Sequence, residues 1–435
     1  MPETGGHALA ATLTTILKRR LDGEGPLGVA VSGGGDSVAL LYALACWGRR
    51  PLHVFCVDHG LNPLSGEWTR AVAQHAAAAG AAFTSLHWTG PKPASGLSAA
   101  ARNARHGLLA EAARAAGVRV LCLAHTRDDL AEAQWMRARG STVGAPAEWS
   151  PSPAWPQGRG VFLLRPLLGV SRAVLRQDLL SQGIEWIDDP ANANPQSLRA
   201  RARLADKPEA EIADAFALSP ERMRDLLDDR WSRLGLISLR QNMFAELPQI
   251  LAHRVLAAAM VCAGGGDRLP RSESVAAIVA DLPVGKARTL CGARILAEGD
   301  YIHVAREAGD IGRHGDVETA VMPNLEAVWD GRFAIRAGEA GAIVPSGRVR
   351  DRLDDDDRGF LHTLPAILRG TLPVFGGKML RCLGQGRQTD VHCQAWVRWR
   401  FAAACGVMQS EVQGEAQGDG QGKAKIGTAL AGRTL

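Results

Sequence analysis

The chain has 435 residues with a formal net charge of +5, and 46% of the residues are hydrophobic. This length is enough for about two to four domains with their own cores. It has no apolar run of the ~18 residues that a membrane-spanning helix needs and no secretory signal, so we expect a cytoplasmic protein without membrane association. The eight cysteines include no Cys-x-x-Cys pair, which argues against a zinc module or a disulfide scaffold.

Arginine supplies most of the positive charge, with 43 Arg against 7 Lys. Arginine binds phosphates and stacks on bases better than lysine does, which favours a nucleic-acid partner. A GC-rich genome would enrich Arg, Ala and Gly together and explains the same composition equally well. Composition alone therefore leaves both explanations open.

Short apolar strands alternate with helices up to about residue 205. The predicted strands are 27–31, 52–57, 82–88, 119–123 and 161–164, and the predicted helices are 7–21, 38–46, 67–79, 98–116, 127–138 and 171–182. This alternation is typical of an α/β protein with a doubly wound parallel sheet. Ligands of such sheets bind at the carboxyl ends of the strands.

The rest of the chain divides by composition. After a first domain at 1–205, we predict a mostly helical middle domain at 206–308, with helical sequence to about 262 and strands at 288–305. A small β-rich C-terminal domain follows at 309–400. Gln, Gly and Glu repeats begin near residue 409, so we predict a disordered tail at 401–435. Residues 144–160 are rich in Pro, Trp and Gly and predict an exposed loop.

The segment Ser32-Gly33-Gly34-Gly35-Asp36-Ser37 joins the first predicted strand to the helix after it. A glycine-rich turn of this kind presents backbone N–H groups at a helix N-terminus, which suits a phosphate. It lacks the lysine of the Walker loop and the glycine spacing of the dinucleotide fingerprint. Its hydroxyls suit a pyrophosphate, and a carboxylate beside phosphates implies a bridging Mg²⁺. The alternative is an ordinary glycine-rich turn.

Acidic and imidazole side chains follow two other strands. Asp58 could hold a ribose hydroxyl or cap a turn. Asp129 and Glu132 share one face of a helix start, where they could ligate Mg²⁺ or stabilise the helix N-terminus by ~0.3–1 kcal/mol. His125 could donate a hydrogen bond to a phosphate or to an activated carbonyl, or be structural.

Two sets of arginines stand near these segments. Arg102 and Arg105 share one face of a predicted helix, which could equally be a solvated face. The turn Asp188-Asp189-Pro190-Ala191-Asn192 precedes Arg199, Arg201 and Arg203. Closely spaced arginines suit a phosphate backbone, and the alternative is a solvated hinge.

The Ser-Gly-Gly-x-Asp-Ser pattern resembles the pyrophosphate loop of N-type ATP pyrophosphatases, which split ATP into AMP and pyrophosphate. The later motifs are Val57-Asp58-His59-Gly60-Leu61, Ala101-Arg102-x-x-Arg105, Ala124-His125-x-x-Asp128-Asp129, Arg165-Pro166-Leu167-Leu168 and Asp189-Pro190-x-Asn192 with Arg-x-Arg-x-Arg. Their order and spacing resemble the tRNA(Ile)-lysidine synthases. The resemblance covers about residues 25–205 and weakens through 269–271, 289–292 and 329–333.

The resemblance implies a two-step ligase reaction. ATP adenylates the C2 carbonyl oxygen of the wobble cytidine of a CAU-anticodon isoleucine tRNA, and the ε-amine of free L-lysine then displaces AMP. The product, lysidine, pairs with A rather than G and changes the codon that is read from AUG to AUA. The resemblance also implies a possible homodimer, and tRNA contacts in the middle and C-terminal domains.

The residues are assigned roles on this basis. The predicted catalytic residues are Asp36, Arg102, His125 and Asp129. The residues expected to bind ATP are Ser32, Gly33, Gly34, Gly35, Asp36, Ser37 and Asp58, and those expected to hold Mg²⁺ are Asp36 and Asp129. The residues expected to bind RNA or substrate are Arg105, Asp189, Asn192, Arg199, Arg201 and Arg203. An acid such as Asp189 or Asp129 positions the lysine ammonium or accepts its proton. The chain departs from the family pattern at His106, Ala133 and Ala191, where Tyr, Thr and Ser are usual.

Three rival functions are weighed against this one. A cytidine thiolase needs paired cysteines, and no Cys-x-x-Cys exists here. An amide-forming synthetase of the same superfamily needs an ammonia source, and nothing in the chain resembles a glutaminase. The third alternative is a non-catalytic RNA- or nucleotide-binding protein. Intact Asp36 and Ser37 argue against it, and pyrophosphate release with and without tRNA would separate it from the enzyme.

Overall fold

The computed structural model describes residues 5–141, 144–189, 198–205, 218–282, 285–314, 317–382 and 391–412. Asn192 and the segment 413–435 of the predicted tail lie outside these ranges. Within them, no helix is both long and apolar enough to cross a bilayer.

The first part of the chain forms a six-stranded sheet. Its strands are β1 (Leu27–Ala30), β2 (Leu52–Asp58), β3 (Ala82–His87), β4 (Val120–Cys122), β5 (Trp149–Pro151) and β6 (Phe162–Leu164). Its helices are α1 (Gly5–Arg20), α2 (Gly35–Trp47), α3 (Ser65–Ala78), α4 (Leu97–Ala115), α5 (Arg127–Arg137), α6 (Arg172–Ser181) and α7 (Leu198–Leu204). The strand order is β3-β2-β1-β4-β6-β5, and all neighbours are parallel except β5 and β6. The predicted doubly wound sheet is confirmed.

The centre of this sheet positions the site. β1 pairs with β2 on one side and with β4 on the other, so the direction of winding reverses between β1 and β4. The buried side chains of β1, such as Leu27 and Val29, anchor the strand between the two helix layers. The segments that follow β1 and β4 therefore open at the same edge of the sheet, at a topological switch point.

The loop predicted at 144–160 contains β5, which pairs with β6 at the edge of the sheet. Trp149 stacks on Phe162 with ring centroids 4.6 Å apart. A three-residue strand that ends in Pro151 carries little strand signal in the sequence, because proline cannot donate to the ladder. Its packing against β6 decides its conformation.

The middle of the chain combines helices with a second sheet. Its strands are β7 (Leu227–Asp228), β8 (Ile237–Arg240), β9 (Arg288–Leu290), β10 (Ala293–Glu298) and β11 (Tyr301–Arg306), and its helices are α8 (Pro220–Leu226), α9 (Gln241–Ala245), α10 (Gln249–Gly264), α11 (Ser272–Ala280) and α12 (Ala308–His314). The strands are antiparallel in the order β7-β8-β11-β10-β9. The prediction of continuous helix to residue 262 missed β7 and β8, since Leu239 of β8 finds its partner Ile302 only across the sheet. The strands predicted at 288–305 are confirmed.

The C-terminal region is rich in β-structure, as predicted. Its strands are β12 (Thr319–Val321), β13 (Glu326–Trp329), β14 (Phe333–Ala337), β15 (Gly341–Pro345), β16 (Pro373–Phe375), β17 (Lys378–Met379) and β18 (Val391–Ala395), and its helices are α13 (Asp355–Thr363) and α14 (Val397–Ala404). They form two antiparallel sheets, β12-β15-β16-β17 and β13-β14-β18.

The prediction of a disordered tail from residue 401 is wrong for residues 401–412. Phe401 of α14 and Met408 are buried in the core of the middle region. Glu411 is 2% exposed and forms an ion pair with Arg50 of the first domain. The polar composition from residue 409 gave no sign of this contact, because Arg50, the partner that compensates the buried carboxylate, lies 361 residues away in sequence. The domain borders at 205 and 308 stay predictions.

Candidate active site

The glycine-rich segment forms a tight turn between β1 and α2. Gly33 has φ +88°, and a Cβ atom there would lie 2.6 Å from Cδ1 of Ile187. The N–H of Ile187 donates to the carbonyl of Gly33 at 2.9 Å. The hydroxyl of Ser37 donates to the carbonyl of Gly34 at 2.8 Å and accepts from the N–H of Ser32 at 3.2 Å. The two serines thus shape the turn, which directs the first N–H groups of α2 outward, where a phosphate could accept their hydrogen bonds.

Asp36 occupies the first turn of α2 and faces a cation. Its Oδ2 atom accepts a hydrogen bond from Nε of Arg172 at 3.0 Å. Burial raises the pKa of Asp36 above its usual value, although Arg172 opposes the shift. Its carboxylate therefore needs a neighbouring positive charge to stay ionised.

Asp129 lies at the start of α5 and serves two partners. Its Oδ2 atom accepts hydrogen bonds from the N–H and the hydroxyl of Thr126, both at 2.9 Å, in a capping box. Its Oδ1 atom contacts the guanidinium of Arg199. The capping role considered for this residue is therefore present, and the second carboxylate oxygen pairs with a cation.

Glu132 lies one turn further along α5 and is 1% exposed. It lies 3.1 Å from Nη1 of Arg172, 3.4 Å from Nε of Arg199 and 3.4 Å from Nε of Arg203. The sequence assigned Arg199 and Arg203 to RNA, but in this structure their guanidinium groups pair with the carboxylates of α5. Arg201, between them on α7, is exposed.

Arg172 is the central residue that the sequence reasoning missed. Besides Asp36 and Glu132, it approaches Asp129 with Nη2 at 3.7 Å. Its backbone N–H donates to Oδ2 of Asp128 at 2.8 Å, which fixes the start of α6. The sequence held one indication of this role, which is the position of Arg172 in the first turn of a helix. A cation there opposes the helix dipole and is stabilised by acidic partners from other elements.

A second group of cations lies beside the acidic one. Burial and neighbouring arginines lower the pKa of Arg105 and of Arg165 to about 10. Burial and Arg199 lower the pKa of Arg102 as well. Arg165 donates to the carbonyl of Ala147 at 2.7 Å, which holds its side chain in place. Arginines that repel one another in this way favour the binding of an anion.

His125, at the carboxyl end of β4, lies near these arginines. Burial, followed by the charge of Arg165, lowers the pKa of His125 to about 3. Its Nδ1 atom is buried without a hydrogen-bond partner among the described residues. At neutral pH the imidazole is therefore uncharged, with one ring nitrogen able to bind a ligand.

The remaining predicted residues lie around the turn. Asp58 accepts a hydrogen bond from the N–H of Gly60 at 2.7 Å and lies 3.6 Å from Nδ1 of His87, so its carboxylate caps the turn after β2.

Asp189 follows Trp186 and Ile187, which pack on Gly35 and Gly33 of the glycine-rich turn.

Among the described residues, no group of three or more His, Cys, Asp or Glu side chains could hold a metal ion by itself. Asp36 and Asp129 are close enough for their charges to interact. A cation bound by these two carboxylates would complete its shell with phosphate oxygens and water, as Mg²⁺ does in nucleotide sites.

Known proteins are similar to this chain in sequence. Residues 7–209 match the PP-loop domain family. The chain is 41% identical to a tRNA(Ile)-lysidine synthase of Caulobacter vibrioides, over 91% of this chain and 97% of the relative. It is 36% identical to the enzymes of that name from Ruegeria pomeroyi, over 78% and 83%, and Hyphomonas neptunium, over 80% and 96%. This chain belongs to the tRNA(Ile)-lysidine synthase family.

Proposed function

We propose that this chain uses ATP to join free L-lysine to C2 of the wobble cytidine of a CAU-anticodon isoleucine tRNA, with release of AMP and pyrophosphate. The observation that carries the proposal is the turn at residues 32–37, whose Asp36 shares the cation Arg172 with Glu132 of α5. The chain that contains it matches a relative of this family over 97% of the relative's length.

In the first step the C2 carbonyl oxygen of cytidine attacks the α-phosphorus of ATP. A bond forms between oxygen and phosphorus, and the bond from the α-phosphorus to pyrophosphate breaks. The N–H groups at the start of α2 point to where the leaving charge develops and stabilise it. Neutral His125 can donate a hydrogen bond to the α-phosphate or to the carbonyl oxygen.

We expect Asp36 and Asp129 to hold Mg²⁺, since carboxylate oxygens are the ligands that this ion prefers. Their environment fits a cation, because burial raises the pKa of Asp36 and the structure already places Arg172 against it. The ion, when bound, would neutralise charge on the departing pyrophosphate.

The second step needs an unprotonated lysine ε-amine. The carboxylates of α5 attract cations, and Arg199, which is 44% exposed, is the most accessible of their partners. We propose that the lysine ammonium replaces Arg199 at Glu132, beside Asp129, and that Asp189 accepts its proton. The free amine then attacks C2, the bond from C2 to the adenylate oxygen breaks, and AMP leaves.

The tRNA must bring its anticodon to the same edge of the sheet. Arg102, Arg105 and Arg165 provide the positive charge that an RNA strand requires. The exposed Arg201 extends this charge along α7. The site would act in the cytoplasm, where tRNA is modified. The homodimer stays a prediction.

The test is pyrophosphate release, measured with ATP and Mg²⁺ in the presence or absence of a CAU-anticodon isoleucine tRNA. We expect release that depends on the tRNA and falls by about 10²-fold or more in Asp36→Asn, because this variant loses a charge at the leaving group. Asp225 is exposed on α8, and Asp225→Asn is the matched control. It should retain the wild-type rate of pyrophosphate release. Equal rates for wild type and Asp36→Asn, or no release with the tRNA, would contradict the proposal.

A further inference from the structure

Two cysteines of the C-terminal region lie in contact. The Sγ atoms of Cys382 and Cys393 are 2.8 Å apart, and both thiols are free. Both side chains are half-buried. A disulfide bond is about 2.05 Å long, so the two sulfur atoms need to approach by less than about 1 Å to bond.

These cysteines connect two different sheets. Cys382 follows β17, the last strand of the sheet β12-β15-β16-β17, whereas Cys393 lies in β18 and pairs with Ile335 of β14. Both pack against one hydrophobic cluster to which the two sheets contribute. Its buried members include Val321, Trp329, Phe333, Ile343 and Phe375. A bond between the thiols would therefore tie one sheet to the other across their shared core.

We propose that Cys382 and Cys393 form a reversible intrachain disulfide when the protein meets a two-electron thiol oxidant such as hydrogen peroxide. The peroxide first oxidises the Cys382 thiol to a sulfenic acid and is reduced to water. The sulfur of Cys393 then attacks the sulfur of Cys382. The S–S bond forms, the S–O bond breaks, and a second water leaves with the thiol proton of Cys393.

The order of these steps follows from the surroundings of the two thiols. Burial, together with the neighbouring Cys382, raises the pKa of the Cys393 thiol. Cys393 is thus a poor first nucleophile towards the oxidant and acts as the resolving thiol. Burial also raises the pKa of Cys56 and of Cys262 to about 11, so these buried cysteines compete poorly for the oxidant.

The consequence is mechanical. The disulfide closes residues 382–393 into a covalent loop. It joins the sheet β12-β15-β16-β17 to the sheet β13-β14-β18. It lies in the C-terminal region, whereas Asp36 and the α5 carboxylates lie on helices that pack beside the parallel sheet. The proposal is independent of the tRNA reaction, and its test needs no substrate.

The experiment treats the full-length protein with hydrogen peroxide, blocks the remaining thiols, digests with trypsin and analyses the peptides by mass spectrometry. Cleavage after Arg381, Arg387 and Arg398 separates the two cysteines. The expected product is peptide 382–387 linked to peptide 388–398, separated again by a reductant. The free thiol count should fall from the eight cysteines of the sequence by two.

Cys382→Ser and Cys393→Ser should each abolish the linked peptide, whereas Cys291→Ser, a half-buried cysteine elsewhere, should retain it. Three outcomes would overturn the proposal. These are eight thiols remaining after oxidation, linkage of either cysteine to a different partner, and conversion of Cys382 to a sulfinic acid with Cys393 unmodified.

Discussion

Nε of Arg172 lies 3.0 Å from Oδ2 of Asp36, and Nη1 of the same guanidinium lies 3.1 Å from Oε1 of Glu132. One side chain from the start of α6 thus joins the turn after β1 to the helix after β4. Both carboxylates belong to the edge of the sheet where the phosphate turn opens. Arg172 therefore sets the distance between the elements that bind ATP and those that attract the lysine cation.

We predict that Arg172→Ala lowers kcat/KM for ATP by about 10²-fold, because the carboxylates lose their common positioning partner. The free energy of unfolding should fall by about 1–3 kcal/mol, since Glu132 keeps Arg199 and Arg203 as partners. Steady-state kinetics and urea unfolding measure the two effects.

The stability control is Arg176→Ala, one turn further along α6. Arg176 pairs with the exposed Asp188, so its loss should cost about 0–1 kcal/mol. Arg172→Lys keeps the charge but cannot span three carboxylates, and should fall between wild type and Arg172→Ala. Wild-type kinetics in Arg172→Ala would remove the positioning role.

Gly33→Ala should disable the phosphate turn. The new Cβ would lie 2.6 Å from Ile187, at a φ of +88° that side chains rarely adopt. We expect a stability loss of about 1–3 kcal/mol and a strong rise in the KM for ATP. Gly80→Ala is the matched control, with φ +67° and no atom within 4 Å of the new Cβ. It should show backbone strain alone and bind ATP normally. The account fails here if both variants bind ATP equally.

Acid should destabilise the fold through two buried histidines. Burial, followed by nearby arginines, lowers the pKa of His106 and of His125 to about 3. Between pH 6.5 and that value the unfolded chain binds protons that the folded chain does not. The free energy of unfolding therefore falls as the pH is lowered, by up to about 1.4 kcal/mol per pH unit for each histidine.

His106→Leu removes one of these groups and should flatten the dependence between pH 6.5 and pH 5, as measured by urea unfolding. An unchanged slope would mean that His106 gains its proton equally in the folded and unfolded chains.

Arg201→Ala should weaken tRNA binding without changing stability, because this side chain is exposed on α7. If it contacts one phosphate, the slope of log Kd against log salt should fall by about 1. Arg203→Ala, two residues away, removes a partner of Glu132 and should lower the free energy of unfolding instead. The same effect from both variants, in filter binding and in unfolding, would contradict this division of roles.

The sequence predicted the parallel sheet because its strands are continuous apolar runs separated by helical segments, and it predicted the phosphate turn because its glycines follow such a run. It missed β5, β7 and β8, which are two to four residues long and depend on pairing partners. It also missed the burial of Glu411, whose partner Arg50 lies 361 residues away.

Within the site, local patterns located the acids of α5 and the arginines of α4 and α7. They did not reveal that Arg199 and Arg203 pair with Asp129 and Glu132, or that Arg172 joins Asp36 to them. These contacts span 40 to 136 residues of sequence, and only the fold brings their members together.

The measurement that tests the central claim most directly is incorporation of radiolabelled lysine into a CAU-anticodon isoleucine tRNA transcript, with ATP and Mg²⁺, by wild type and by Asp36→Ala. The account predicts incorporation by wild type, none by Asp36→Ala, and none into a transcript whose wobble cytidine is replaced by uridine. Pyrophosphate release by wild type without lysine incorporation would contradict it and indicate another nucleophile.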